Sequence, residues 1–304
     1  MSILVVGSIA LDSVETPFGV AEEALGGAAV YFSYAASFFN RVRLVGIIGE
    51  DFPEEHLELL AGRNIDLAGL ERAEGSTFRW KGRYDYDLNE AHTLDTQLNV
   101  FETFAPKIPD SFKDSDFVFL ANIQPGLQLQ VAEQATSPRI VACDTMNFWI
   151  EGAYDQLRET LKSVDILIIN DAETRELARE PSLVKAARQI LEWGPSTLVV
   201  KRGEYGVLMF HGSSVFSAPA YPLEEVFDPT GAGDTFAGGF MGYLSTQEEI
   251  SEAAIRQAII FGSTLASFNV EDFSLNRMKT LDMQEILDRF AEFRLLSHVE
   301  EIEA

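Results

Sequence analysis

Short apolar runs recur along the chain at Ile3 to Val6, Val42 to Ile48, Phe117 to Leu120, Ile140 to Cys143, Ile166 to Ile169 and Leu198 to Lys201. They are rich in β-branched and aromatic residues and show no polar alternation, the pattern of strands covered on both faces. Between most of them the apolar spacing changes to a helical one. From Ser182 to Trp193, the residues Leu183, Ala186, Ala187, Ile190 and Leu191 fall on one helical face. Ser182 is placed to cap this helix and Gly194-Pro195 to stop it. A second helix starts at Asp282, with Glu285 three residues on as a capping box, and its spacing predicts burial of Met283, Ile286, Leu287, Phe290 and Phe293. Alternating strands and helices imply an α/β fold: a largely parallel central sheet with helices on both faces.

Two stretches break this alternation. Residues 13–25 follow the first strand without a helical period, and residues 77–104 are polar and aromatic, with the β-formers Phe78, Trp80, Tyr84 and Tyr86. Both read as parts of one small β lid inserted into a single domain spanning 1–304. Such a lid would shield the carboxyl ends of the strands, where open α/β sheets bind ligands. A hairpin without function is the alternative. No Pro/Gly/Ser-rich linker and no internal repeat divides the sequence.

Charge narrows the partners. Of 304 residues, 48 are acidic and 23 basic, for a formal charge of −25. A field of that sign repels phosphate backbones and anionic membrane surfaces, which argues against nucleic acid and against membrane binding. Hydrophobic residues make up 46% of the chain, and at this length roughly 75% of the unfolded surface can be buried. The single cysteine, Cys143, excludes an intramolecular disulfide and a thiolate zinc cluster. Neither a signal-peptide pattern nor an apolar stretch of about 18 residues is present, so the expected location is the cytoplasm.

The strongest chemical signal is the run Asp228-Pro229-Thr230-Gly231-Ala232-Gly233-Asp234-Thr235-Phe236-Ala237-Gly238-Gly239-Phe240, after a strand-like Val226-Phe227. Its Gly-Ala-Gly turn opens a helix, so several backbone N–H groups can converge on one anion, aided by the positive end of the helix dipole. Asp234 falls in the first turn of that helix. A carboxylate beside an anion hole suits a base that deprotonates an attacking hydroxyl while the amides neutralise a transferring phosphoryl group. Taken alone, it is equally an N-terminal capping residue.

This run resembles, without a gap, the signature of the PfkB or ribokinase-like family of ATP-dependent carbohydrate and nucleoside kinases, and the resemblance extends over the whole chain. It implies a Rossmann-type three-layer fold with a β-sheet lid, and transfer of the γ-phosphoryl group of ATP, with Mg²⁺, to a primary hydroxyl. Asp234 then corresponds to the base, and Gly231, Ala232 and Gly233 to the anion hole, with Thr230 on the nucleotide side. The residue matching Asp228 helps to hold a monovalent cation in some members, which leaves a K⁺ dependence open.

Further matches lie at strand ends. Asn170-Asp171-Ala172-Glu173 resembles the family's Asn-x-x-Glu element, in which Asn170 and Glu173 would position Mg²⁺, often through water; alone it reads as a helix cap with a capping box. Lys201-Arg202-Gly203-Glu204-Tyr205-Gly206 matches a segment bordering the nucleotide, with Lys201 or Arg202 available to phosphates and Gly203 allowing close approach; a hairpin turn with solvated charges is the other reading. Asp12 and the pair Gly26-Gly27 match the acceptor site, the Asp accepting hydrogen bonds from substrate hydroxyls.

Two departures touch substrate choice. Tyr31 stands where many sugar kinases carry Asn, and Asp144-Thr145-Met146-Asn147-Phe148-Trp149 lacks the Arg of an Asp-x-Asn-x-Arg run. Tyr31, Phe148, Trp149, Trp80 and Tyr84 are candidates for an aromatic pocket that stacks a base or a sugar face, or else for ordinary packing. The expected function is a kinase for a sugar or sugar acid. A nucleoside kinase is the alternative, and a non-catalytic nucleotide- or sugar-binding regulator the third reading. Hydrolase, zinc-protease and P-loop motifs are absent, and His56, His92, His211 and His298 are scattered. The resemblance also allows a homodimer formed through the lid.

Overall fold

The computed structural model describes residues 1–89, 91–296 and 298. Thirteen strands occur in chain order: β1 Ser2–Val6, β2 Ala10–Thr16, β3 Gly19–Gly26, β4 Arg41–Ile48, β5 Ile65–Arg72, β6 Phe78–Tyr84, β7 Ala91–Gln97, β8 Phe117–Leu120, β9 Ile140–Cys143, β10 Ile166–Asn170, β11 Thr197–Lys201, β12 Val207–His211 and β13 Ser214–Ala218. Nine form one sheet in the order β13-β12-β11-β10-β9-β8-β1-β4-β5. All its pairings are parallel except β11 with β12 and β12 with β13.

The six apolar runs are six neighbouring strands of this sheet. Apart from Arg43 and the terminal Lys201 these runs are apolar, because both faces are covered. On β1, Ile3 and Val5 enter one core and Leu4 and Val6 the other. The first core packs helices Ala28–Ala36, Ala232–Leu244 and Glu252–Asn269 on the sheet; the second packs Pro125–Gln134, Asp171–Ala178 and Leu183–Leu191. The molecule is therefore three-layered. Strand order reverses at β1, which has β8 on one side and β4 on the other, and ligands bind outside the carboxyl ends of strands at such a reversal.

Both segments that break the helical alternation belong to one four-stranded sheet, ordered β3-β2-β6-β7. Strands β2 and β3 start the chain's entry into this lid at Ala10, three residues earlier than the hydropathy indicates, and residues 99–103 beyond β7 form a 3₁₀ turn rather than lid. The lid lies closed on the body. Tyr84 reaches Thr230, their hydroxyl oxygens 3.3 Å apart, and Phe18 at the β2–β3 turn meets Phe227 edge-on at 6.0 Å.

Several local details differ from expectation. The helix after Gly27 spans Ala28–Ala36. Ser182 precedes its helix, but its hydroxyl makes no capping bond, and Glu180 instead accepts from the Ser182 N–H at 2.8 Å. The Asp282–Glu285 capping box is present, with the Glu285 N–H donating to Asp282 at 2.9 Å. Along that helix Ile286 and Phe293 are buried, whereas Met283 and Leu287 are exposed, because it lies at the molecular edge and presents a narrower stripe. Val226-Phe227 is not a strand; the Phe227 N–H is bonded to the Val270 carbonyl at 2.8 Å. Strands β5 and β13 are the sheet's two edges and mix buried with exposed residues, so no fully apolar run announces them; β12, between β11 and β13, carries the short apolar run Val207 to Phe210.

Candidate active site

The glycine-rich turn ends in the helix Ala232–Leu244, and Gly231 occupies its N-cap with φ 74°. That left-handed geometry favours glycine, and space demands it as well: a Cβ there would overlap the ring of Tyr31. Upstream, the Asp228 carboxylate accepts the Thr230 N–H at 2.9 Å and the Ser274 N–H at 3.5 Å. Downstream, buried Asn269 donates to the Thr230 carbonyl at 2.9 Å and lies 3.1 Å from the Thr235 hydroxyl. Thus the turn is fastened at both ends, and within it the Ala232 N–H, one of the amides expected to bind an anion, donates to the Pro229 carbonyl at 3.1 Å. Asn269 was not singled out by sequence reasoning, since a lone Asn near a helix end carries no distinctive pattern.

Asn269→Ala leaves the Thr230 carbonyl and the Thr235 hydroxyl without their buried partner. A loss of about 1–3 kcal/mol is expected. Denaturant melts at neutral pH check this, and a variant as stable as wild type would show that the clamp carries nothing.

Asp234 lies in the first turn of the helix, half-buried, and desolvation pushes its carboxyl up to about 6 while the nearby Lys201 pulls it back. Lys201 is the last residue of β11, and a Cβ on Gly233 would come within 2.8 Å of its Nζ, so the ammonium lies against the anion turn. Three carboxylates share its field: Asp234, Asp144 just beyond β9, and Glu173 after β10. Burial raises Asp144 well above the usual carboxylate range, Asp234 and Glu173 raise it further, and Lys201 opposes them. Oδ1 of Asp144 has no hydrogen-bond partner. Asp144 entered the sequence reading only through a missing Arg; the strand-end spacing of β9, β10 and β11 is what brings it beside Lys201.

Asn170 and Glu173 form a reciprocal capping box: Glu173 N–H donates to Asn170 Oδ1 and Asn170 N–H to Glu173 Oε2, both at 2.8 Å. One oxygen of each is thereby used, and among the described residues no cluster of acidic, His or Cys side chains is arranged to hold a metal directly. Glu173 Oε1 takes no part in the box, which suits a hydrated Mg²⁺ held through water. Gly203 begins a 3₁₀ turn just after β11, facing Asn89 at the tip of the lid hairpin. Arg202 turns away and lies over the Tyr205 ring.

On the acceptor side, Asp12 sits in β2 with its carboxylate packed against the α-carbon of Gly26, where no side chain would fit. Burial pushes Asp12 up to about 7, the Gly27 amide counters this by hydrogen bonding, and Asp228 and Asp234 add to it. Tyr31 is buried between Gly231 and these carboxylates, and burial together with Asp12, Asp228 and Asp234 raises its phenol. Of the five aromatic candidates, Tyr31, Trp80 and Tyr84 lie along Asp12 and the glycine turn. Phe148 and Trp149 instead pack edge-on against each other, and Trp149 donates to Asn122 at 2.9 Å.

A glycine-capped helix start, a half-buried carboxylate in its first turn and a lysine beside it lie together under the lid, an arrangement of the kind that phosphoryl transfer uses. Residues 3–280 match the family described as pfkB family carbohydrate kinase. The chain is 30% identical over 258 residues to the cytidine kinase of Thermococcus kodakarensis, covering 83% of this chain and 91% of that one. Against the nucleoside kinase of Methanothermobacter thermautotrophicus it is 29% identical over 251 residues, covering 81% and 78%. The crystal structure of the Methanocaldococcus jannaschii nucleoside kinase, an archaeal member of the ribokinase family, superposes with a TM-score of 0.76 at 20% identity over 96% of this chain and 98% of that one. This chain belongs to the pfkB family of carbohydrate kinases, has the ribokinase-like fold, and is an ATP-dependent phosphotransferase with an alcohol group as acceptor. Among the described residues no helix is long and apolar enough to cross a membrane.

Proposed function

We propose that the protein is a nucleoside kinase, transferring the γ-phosphoryl group of ATP to the 5′-hydroxyl of a ribonucleoside. The likeness to the Thermococcus kodakarensis cytidine kinase carries this reading over the sugar or sugar-acid acceptor expected from sequence. The aromatic wall of Tyr31, Trp80 and Tyr84 beside Asp12 supports it, because a base offers a ring face that a free sugar lacks.

In this reading Asp12 accepts hydrogen bonds from the ribose hydroxyls, and the bare backbone at Gly26 and Gly27 lets the sugar lie close. Asp234 takes the proton from the 5′-hydroxyl as the oxygen attacks. The amides of Gly231 and Gly233 and the ammonium of Lys201 hold the charge of the transferring group, the Ala232 N–H being used within the turn. Gly203 borders the nucleotide, and Thr230, bonded to Tyr84, couples the glycine turn to the lid. Asn170 and Glu173 would hold hydrated Mg²⁺, which neutralises phosphate charge when bound. Asp228, buried beside Asp272 and only partly satisfied by two amides, suits a K⁺ ion that would steady its loop. The exposed edge strand β7 offers unpaired backbone groups to a second copy through the lid.

ADP release with Mg-ATP over a panel of ribonucleosides, D-ribose, hexoses and sugar acids tests the assignment. A ribonucleoside is expected to give the highest kcat/KM, at least about tenfold above D-ribose if a base-stacking contact is made. A free sugar or sugar acid as the best acceptor would overturn it.

A further inference from the structure

The inner face of the lid carries one aromatic group that the phosphoryl chemistry leaves unused. On β6, Phe78, Trp80, Gly82 and Tyr84 share a face, because side chains alternate along a strand, and Tyr84 shows that this face looks into the cleft. Strand β2 runs parallel to β6 with no break in register, and Asp12 pairs directly with Trp80. Neighbouring strands lie about 4.8 Å apart, so the indole stands next to the carboxylate that takes the sugar hydroxyls.

Two contacts hold the indole flat along the strand. A Cβ on Gly82 would overlap its six-membered ring, so the ring covers the one position on that face without a side chain. Its Nε1–H donates to Thr93 Oγ1 at 3.2 Å, and Thr93 is the cross-strand partner of Gly82 on β7. Phe78 on the same face stacks on Phe101 at 5.3 Å, whereas Trp80 pairs with no aromatic ring among the described residues and remains partly exposed. A ring braced from behind, open in front and set beside a sugar-binding carboxylate is shaped to receive another flat ring.

We infer that Trp80, held flat over Gly82, is the platform on which the base of the acceptor stacks while Asp12 takes the ribose hydroxyls. Trp80 is thereby a specificity-determining residue, and the inference rests on the nucleoside reading. It assigns the lid a second task besides excluding water.

The test uses the full-length protein and the variants Trp80→Ala, Trp80→Phe and Gly82→Val, with cytidine, adenosine and D-ribose as acceptors. Stacking on an aromatic side chain amounts to about tenfold or more in affinity. Trp80→Ala is expected to raise the nucleoside KM by at least about that factor, lower the preference for nucleoside over D-ribose equally, and leave the KM for ATP within about twofold. Gly82→Val retains the indole but displaces it, and should have the same effect; Trp80→Phe should restore most of the preference. Without ATP, nucleoside should quench the fluorescence of wild type and not of Trp80→Phe. Unchanged nucleoside KM in both Trp80→Ala and Gly82→Val, with wild type active on nucleosides, overturns the platform alone. Wild type inactive on every nucleoside overturns the nucleoside reading and the platform with it.

Discussion

Asp234→Asn is expected to lower kcat by about 10²–10⁴ while leaving ATP affinity within about twofold. The change keeps size and shape in the first turn of the helix and removes only the capacity to accept the proton of the attacking hydroxyl. In the proposed function ATP is held by the amides of the same turn, by Lys201 and by the β10 and β11 strand ends, and the substitution removes none of these groups. The pH profile belongs to the same expectation. The base works ionised, and burial raises Asp234 to about 6 and Asp12 to about 7, so activity falls as pH drops through 7 and 6. Steady-state kinetics between pH 5 and 9 check both points. A variant within tenfold of wild type would remove Asp234 from the role of base.

Lys201→Met should cost about 10²–10³ in kcat/KM, the range for deleting one donor to a developing charge. Its ammonium lies against Gly233, faces Asp234, Asp144 and Glu173, and belongs to none of the close ion pairs among the described residues, which leaves it available to phosphate. A second consequence separates this role from simple phosphate affinity. Lys201 favours the ionised form of Asp234, so its removal raises that carboxyl further and shifts the acid limb of the kcat/KM profile toward higher pH. Lys201→Arg keeps the charge and should return the limb toward its original position. An unshifted limb in Lys201→Met would mean that the cation and the base do not communicate.

These expectations sit on a site that works against stability. Asp12, Asp144 and Asp228 are buried and Asp234 is half-buried, all with raised pKa values, so each is easier to hold protonated than ionised. For a carboxyl whose folded pKa is raised, stability is greatest below the unfolded value of 3.8 and declines as pH climbs from there to the folded value. Neutral pH therefore favours activity at the cost of stability, as expected where function dictates residue choice.

The central strands were legible because both sheet faces are covered: Ile3 to Val6 or Ile166 to Ile169 have no polar position to confuse the pattern. The lid was legible from the opposite property, alternation with aromatic residues, as at Phe78, Trp80 and Tyr84. Edge strands β5 and β13 had neither property. In the site, the glycine turn was legible because its amides and Asp234 are contiguous in sequence. Its surroundings were not. Tyr31 covers Gly231 from two hundred positions away, Asn269 clamps the turn from a different helix, and Asp144 and Lys201 meet because successive parallel strands end at one level. Local pattern reports local geometry, and these contacts depend on the register of the whole sheet. Ser182 fails in the other direction: its type suits a cap, yet the chain arrives with the hydroxyl turned from the first-turn amides.

The most direct measurement is the identity of the product. Wild type incubated with Mg-ATP and its preferred nucleoside, followed by ³¹P NMR and mass spectrometry, should give ADP and the nucleoside 5′-monophosphate in equal amounts, with no 5′-monophosphate from Asp234→Asn on the same time scale. ADP formed with free phosphate alone, or phosphate carried on a sugar in preference to any nucleoside, would contradict it.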